Sequence, residues 1–152
     1  MVRIVSGDIF ASGRQTLVNP VNCVGVMGVG LSWEFRQRFP DMYLDYAAMV
    51  ARGNVKPGVP YIYKELFPPW VINFPTRYHI ADKAKLEYIE QGLIYIANNY
   101  SRWKITSLAV PALGCGSGGL NWCDVQPLLV KYLRDLDIPV DIYAPREDKS
   151  II

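Results

Sequence analysis

The chain has 152 residues, of which 51% are hydrophobic and 20% are charged, and its net charge is +2. This length corresponds to one domain with an ordinary hydrophobic core, and the composition excludes a disordered chain. The small net charge excludes the strongly basic surface of a dedicated nucleic-acid binder, although backbone amides can still bind an anionic ligand.

Strand and helix patterns alternate along the chain. Short apolar runs bounded by proline, glycine or charge predict strands covered on both faces, and apolar stripes with a 3.6-residue period predict helices. In chain order, the patterns predict strands over Val2–Val5 and Thr16–Val21, helices over Leu31–Phe39 and Met42–Arg52, strands over Tyr61–Tyr63 and Val71–Phe74, a helix over Leu86–Ala97, a strand over Leu108–Val110, a helix over Val125–Leu136 capped by Asp124, and a strand over Val140–Ala144.

The alternation of strands and helices predicts a three-layer α/β sandwich around a largely parallel sheet. The strands on either side of Lys64–Trp70 are close enough in sequence to form a hairpin, so we expect a mixed sheet. We assign residues 1–145 to this single domain. The charged tail, residues 146–152, is expected to fray.

Two glycine-rich segments each follow a predicted strand and precede a predicted helix. They are Asn19–Gly30 and Pro111–Gly119. In α/β sheets such segments lie where ligands bind, and glycine lets successive N–H groups turn toward an anion. Two loops facing each other would clamp a phosphate or a pyrophosphate, whereas the alternative is that the glycines only form turns. Neither segment has the spacing of a Rossmann fingerprint or a P-loop, which excludes a P-loop NTPase.

The cysteine and histidine counts restrict the chemistry. Three cysteines without C-x-x-C spacing predict neither a disulfide framework nor a zinc cluster, and the single histidine, His79, excludes a site built from several histidines. We therefore expect no metal and no other cofactor. Reduced thiols suit a cytoplasmic protein. The first residues lack the apolar stretch of a signal peptide, and no apolar run is long enough for a membrane span.

Several motifs together resemble the macrodomain family, which binds ADP-ribose. They are Gly7-Asp-Ile9, Val18-Asn-Pro-Val-Asn-Cys23, Gly28-Val-Gly30 and Val110-Pro-Ala-Leu-Gly-Cys-Gly116. The resemblance extends over nearly the whole chain and implies a three-layer α/β/α macrodomain. Three more segments resemble one branch of this family, which contains DarG-type antitoxins and terminal ADP-ribose glycohydrolases. The DarG-type antitoxins remove ADP-ribose from DNA. The three segments are Asn73-Phe-Pro-Thr76 with His79, Lys85–Glu90 and Gly118–Trp122.

The resemblance also implies roles for individual residues. Asp8, beside the Ile9 backbone, would accept a hydrogen bond from the adenine amino group, Asn22 would face the distal ribose, and Tyr143 would pack on adenine. The loop Gly25–Leu31 would wrap the distal ribose and a phosphate, and the loop Gly114–Leu120 would bind the pyrophosphate. The implied ligand-binding set is Asp8, Ile9, Asn22, Gly28, Val29, Gly30, Leu31, Thr76, Gly114, Cys115, Gly116, Ser117, Gly118, Gly119, Leu120 and Tyr143.

Three of these side chains also have a purely structural interpretation. Asp8 would then be a turn or cap residue, Asn22 a satisfied polar residue at the end of a strand, and Tyr143 a core residue.

The sequence departs from the resembled glycohydrolases at the catalytic position. Those proteins read Asn-Phe-Pro-Thr-Lys, which implies a lysine that acts on the distal ribose after losing a proton; here the position is Arg77. Arginine keeps its proton, so it is a poor nucleophile or base. We take Asn22, placing a water against the anomeric carbon, and Arg77, stabilising phosphate charge, as the catalytic candidates. Lys83 or Lys85 could instead supply the missing amine.

A thiol mechanism is a further alternative. It would use Cys115 as nucleophile and His79 as base. We disfavour it because cysteine fits the Gly-Cys-Gly turn simply as a small residue, and because nothing in the sequence brings the two side chains together.

The resemblance implies that the chain binds ADP-ribose and hydrolyses it from an ADP-ribosylated target, with a DNA base as one candidate. The alternatives are a non-catalytic ADP-ribose reader and an ADP-ribose 1″-phosphate phosphatase. The expected partners are ADP-ribose, ADP-ribosylated DNA or protein, and a cognate ADP-ribosyltransferase toxin, without a membrane.

Overall fold

A six-stranded sheet with helices on both faces forms the domain. The computed structural model describes residues 1–145, so the expectation for the tail lies outside the described residues. The strands are β1 Val2–Val5, β2 Thr16–Val21, β3 Tyr61–Tyr63, β4 Trp70–Pro75, β5 Leu108–Val110 and β6 Val140–Tyr143. The α-helices are α1 Gly30–Arg38, α2 Pro40–Ala51, α3 Leu86–Asn99 and α4 Trp122–Leu133, and a short 3-10 helix covers Ile9–Ala11.

The strand order is β1–β6–β5–β2–β4–β3. Every neighbouring pair is parallel except β3 and β4, which are antiparallel across the segment predicted as a hairpin. The expected mixed, largely parallel sheet is therefore confirmed.

Alternate strand residues enter two separate cores, one on each face of the sheet. In β2, Leu17 packs in the cluster that contains Phe35 of α1 and Tyr46 of α2, whereas Val18 packs in the cluster that contains Leu93 of α3 and Leu129 of α4. Because successive side chains of a strand point to opposite faces, this division places α1 and α2 on one face and α3 and α4 on the other. The three-layer architecture is confirmed.

The ends of α4 differ from the prediction. The helix begins at Trp122 with Asn121 at its N-cap position, so Asp124 is not the cap and lies within the first turn. A carboxylate in the first turn is still stabilised by the positive end of the helix dipole. The helix also ends at Leu133, although Leu136 is buried beyond it. The prediction placed the end too late because the apolar spacing indicates which residues are buried, and buried residues continue into the turn after the helix has ended.

No helix within residues 1–145 has both the length and the apolar character needed to cross a membrane.

A buried carboxylate ties β6 to β1 and to the loop before β2. Asp141 accepts bidentate hydrogen bonds from Arg14, at 2.7 and 3.2 Å, and from Arg3, at 3.0 and 3.2 Å. Burial acts to raise the pKa of Asp141, but the two arginines outweigh burial and lower this pKa below its usual 3.8. The network therefore stabilises the fold above about pH 4, and its contribution is lost as the pH falls through the lowered pKa.

Asp141→Asn is expected to lower the free energy of unfolding by about 3 kcal/mol, because it leaves two guanidinium groups without their buried partner. Urea-induced unfolding measures the loss. The control is Asp135→Asn, which breaks the exposed 3.8 Å pair with Arg134 and should change stability by no more than about 0.5 kcal/mol. Equal losses in the two variants would contradict the importance of the buried network.

Candidate functional site

A cleft of about 810 Å³ lies where the five mutually parallel strands end. Its wall is drawn from the segments 7–9 after β1, 22–34 after β2, 76–80 after β4, 111–118 after β5 and 143–145 at the end of β6. Parallel strands bring their carboxyl ends to one edge, where α/β sheets bind ligands, and this volume is ordinary for a small-molecule or cofactor site.

The cleft brings together most of the ligand-binding residues that the resemblance implies, together with the catalytic candidate Arg77. Its lining includes Asp8, Ile9, Asn22, Gly28, Val29, Leu31, Thr76, Arg77, Gly114, Cys115, Gly116, Ser117, Gly118 and Tyr143. The other three lie outside the lining. Gly30 begins α1, Gly119 donates its N–H to Gly116 at 3.0 Å, and Leu120 donates its N–H to Gly114 at 2.8 Å. Gly119 and Leu120 use their N–H groups for hydrogen bonds within the second loop, so direct ligand contact by these two residues is not supported.

The second glycine loop leaves three consecutive N–H groups for a ligand. The Cys115 N–H donates to Ala112 at 3.1 Å, and the N–H groups of Gly119 and Leu120 are engaged inside the loop. Among the described residues, the N–H groups of Gly116, Ser117 and Gly118 have no protein acceptor. Consecutive free amides on a turn form a concave site that favours an anion.

The first glycine loop is folded around the Asn22 side chain. The Asn22 Oδ1 accepts the N–H of Val24 at 3.0 Å and of Val26 at 3.3 Å, and the Nδ2 donates to the Val26 carbonyl at 2.7 Å. The amide oxygen is therefore occupied by the protein, and one Nδ2 hydrogen remains for a ligand. Asn22 therefore has the structural role that the sequence analysis gave as an alternative. It can orient a water only by donating a hydrogen bond to the water oxygen.

Further along the same loop, the backbone amides are not used by the protein. Within residues 1–145, no acceptor is bonded to the N–H groups of Gly28 through Ser32, and Val29, the N-cap of α1, supplies no side-chain cap. Because Leu31 and Ser32 line the cleft, the positive end of α1 opens toward it.

Arg77 joins the segment after β4 to the second glycine loop. Its Nη2 donates to the Ser117 Oγ at 2.8 Å, and its Nη1 donates to the carbonyls of Ser117, at 3.3 Å, and Asp82, at 3.2 Å. The planar fork of arginine makes all three bonds at once, which an ammonium group cannot reproduce. A permanent positive charge therefore lies beside the free amides of the loop.

Neither of the alternative lysines lines the cleft. The Lys85 Nζ lies 5.5 Å from the centre of the Tyr88 ring on α3. Among the described residues, Arg77 is the basic side chain of the cleft wall, so the expectation that Lys83 or Lys85 supplies an amine finds no support.

The thiol alternative also lacks support. Burial raises the pKa of Cys115 to about 11, so the thiol stays protonated near neutral pH. His79 does not line the cleft, and its Nδ1 accepts the N–H of Ala81 at 3.0 Å.

Two carboxylates, Asp8 and Glu34, line the cleft. The Asp8 Oδ1 accepts the Phe10 N–H at 2.9 Å and so caps the 3-10 helix, in agreement with its structural interpretation. The Phe10 ring lies 4.8 Å from that of Phe35, which brings α1 against this turn. Glu34, next to Phe35 on α1, lines the cleft, as does the half-buried Tyr143.

Sequence reasoning missed Glu34, although it lies three residues after Leu31 on α1. That i, i+3 spacing places both on one face of the helix and could have identified it. The remaining lining residues have no individual role predicted from the sequence, although some of them lie in the two glycine-rich segments; they are Gly7, Pro20, Val21, Val26, Ser32, Ile80, Pro111, Ala112, Ala144 and Pro145.

Comparison with known proteins finds similar sequences and structures over nearly the whole chain. A DNA ADP-ribosyl transferase–DNA ADP-ribosyl glycohydrolase fusion protein of Thermosipho africanus is 41% identical over 164 residues, which cover 96% of this chain and 42% of the relative. The chain thus spans less than half of that relative's length.

Two solved structures superpose over almost the whole chain. The macrodomain of Mycobacterium tuberculosis DarG has a TM-score of 0.92 and 41% identity, covering 96% of this chain and 99% of that one. Thermosipho africanus DarTG in complex with ADP-ribose has a TM-score of 0.91 and 42% identity, covering 97% of this chain and 42% of that one. The Macro domain family model matches residues 18–129. The chain belongs to the macrodomain family.

Proposed function

We propose that the cleft binds ADP-ribose and that the chain hydrolyses it from an ADP-ribosylated DNA base. The observation that carries the proposal is the set of free backbone amides on both glycine loops, Gly28–Ser32 and Gly116–Gly118, with the charge of Arg77 beside the second. Such an arrangement matches a ligand with a diphosphate at its middle. The carboxylates of the cleft wall supply acceptors for a purine amino group.

The DNA target is supported by the relatives. A relative that is 41% identical to this chain over the aligned 164 residues is named as a fusion of a DNA ADP-ribosyl transferase and a DNA ADP-ribosyl glycohydrolase, and the similar structure of Thermosipho africanus DarTG contains ADP-ribose. That relative also supports a cognate ADP-ribosyltransferase as partner. We further propose a cytoplasmic location, because Cys23, Cys115 and Cys123 are all free thiols.

In the proposed reaction, the bond between the anomeric carbon of the distal ribose and the base is replaced by a bond to the oxygen of a water, and the proton that this water loses ends on the released base. Positive charge develops on the ribose as the base leaves. The amides and Arg77 would hold the diphosphate so that the ribose stays in one place, which is catalysis by positioning. The free N–H of Asn22 would orient the water through its oxygen.

A non-catalytic reader of ADP-ribose is the second candidate. It is favoured by Arg77, because a permanently charged guanidinium leaves the described cleft wall without an amine that can lose its proton. No feature of the described cleft singles out a terminal 1″-phosphate, so we do not propose the phosphatase.

Titration with ADP-ribose tests the binding proposal. Asp8→Ala is expected to weaken ADP-ribose binding while leaving ligands without adenine nearly unaffected. Wild-type protein should be stabilised by about 2.7 kcal/mol at a hundredfold excess of ligand over Kd. Calorimetry and thermal unfolding measure both effects. No heat and no thermal shift at millimolar ADP-ribose would refute the proposal.

A further inference from the structure

A buried side chain of α2 contacts the first glycine loop from behind. Tyr46 is buried in the core between α2 and the sheet. Its hydroxyl lies 2.7 Å from the backbone carbonyl of Asn22 and 2.8 Å from the Asn22 Oδ1. It also accepts the Gly25 N–H at 3.3 Å. One hydroxyl is therefore bonded to both ends of the Asn22–Gly25 segment.

This contact completes the hydrogen bonding of residues 22–26, which we call the Asn22 loop. The Asn22 amide holds Val24 and Val26, and the Tyr46 hydroxyl holds Asn22 and Gly25. Asn22 and Val26 themselves line the cleft. A side chain that does not line the cleft therefore helps to fix the position of this part of its wall.

The Tyr46 hydroxyl remains a donor at all physiological pH values, because burial raises its pKa far above the ordinary 10. A second tyrosine of α2, Tyr43, donates to the Gly25 carbonyl at 3.3 Å. Ordering a free loop on binding costs conformational entropy, so a loop that is already fixed binds more tightly.

We propose that Tyr46 is a positioning residue for the ligand: its hydroxyl fixes the Asn22 loop in the conformation that presents Asn22 and Val26 to ADP-ribose. The proposal rests on the proposed function, since it names how one wall of that site is prepared. The competing interpretation is that the hydroxyl only stabilises the core.

Tyr61 on β3 offers a matched control. Its hydroxyl accepts a hydrogen bond from the Asn73 Nδ2 at 3.1 Å, and burial raises its pKa as it does that of Tyr46. Tyr61 does not line the cleft, and its hydroxyl makes no hydrogen bond to the Asn22 loop. Removing either hydroxyl leaves a buried partner unsatisfied, which costs comparable stability.

The experiment compares Tyr46→Phe with Tyr61→Phe in titration calorimetry with ADP-ribose and in amide hydrogen exchange. We expect Tyr46→Phe to raise Kd about tenfold and to speed the exchange of the Val24, Gly25 and Val26 amides. Tyr61→Phe should change Kd by less than about twofold and leave those amides unaffected.

Unchanged affinity in Tyr46→Phe, or an equal loss in Tyr61→Phe, would overturn the positioning role while the wild type still binds. A wild type that does not bind would overturn the proposed function itself. If Tyr46→Phe does not fold, Tyr43→Phe replaces it as the test. Loss of the longer Tyr43 bond should raise Kd about threefold, and an unchanged Kd would count against a positioned loop.

Discussion

Gly116→Glu is expected to abolish ADP-ribose binding without unfolding the protein. Apart from its own residue and its two chain neighbours, a Cβ at Gly116 would have no heavy atom of the protein within 4 Å, and the backbone there does not require glycine. The added carboxylate would occupy the cleft beside the free amides of Gly116, Ser117 and Gly118 and would repel a diphosphate. We expect Kd to rise at least about a hundredfold, because an anionic ligand would lose its hydrogen bonds and meet a like charge.

Calorimetry gives the affinity, and circular dichroism with thermal unfolding shows whether the variant is folded. Gly116→Ala is the control, since its methyl group enters open space and should change Kd by less than about threefold. Gly118 is not an equivalent position. A Cβ there would lie 2.7 Å from the Gly114 carbonyl and 2.8 Å from the Ala84 Cβ, so substitution would distort the loop. Wild-type affinity in Gly116→Glu would place the diphosphate elsewhere.

The architecture was accessible from the sequence because burial in this fold is periodic. The β2 run is apolar on both sides, with Leu17 and Val18 facing opposite cores, and this pattern marks a strand inside a covered sheet. The α3 residues Ile89, Leu93 and Ile96 recur on one helical face and are all buried. The same logic misplaced the end of α4, since Leu136 is buried without being helical.

The hydrogen bonding of the site could not be predicted from the sequence, because it depends on which atoms tertiary folding brings together. The Asn22 amide is occupied by its own loop and by Tyr46 from α2, twenty-four residues away. The Arg77 guanidinium meets Ser117, forty residues away. Neither of these long-range contacts leaves a local pattern in the sequence. The glycine-rich turns that supply free amides do leave one.

Arg77 supplies the cleft with a positive charge and also connects two of its segments through hydrogen bonds. Its fork holds the second glycine loop through Ser117, so replacing it with lysine changes two properties. The loop loses the bidentate link, which should weaken ADP-ribose binding about threefold. The site gains an amine that can lose its proton, which a guanidinium cannot do.

Arg77→Lys is therefore expected to raise the release of ADP-ribose from ADP-ribosylated single-stranded DNA by about a hundredfold, the lower range of a positioned acid or base. Arg77→Ala should weaken binding about tenfold, because it removes both the charge and the link. A gel assay of ADP-ribose release measures turnover in the wild type and both variants. Ser117→Ala is the control, since it removes only the 2.8 Å bond and keeps the guanidinium charge, and it should not raise turnover. If the wild type releases ADP-ribose as fast as Arg77→Lys, the missing lysine is irrelevant and the chemistry runs through the Asn22 side of the cleft.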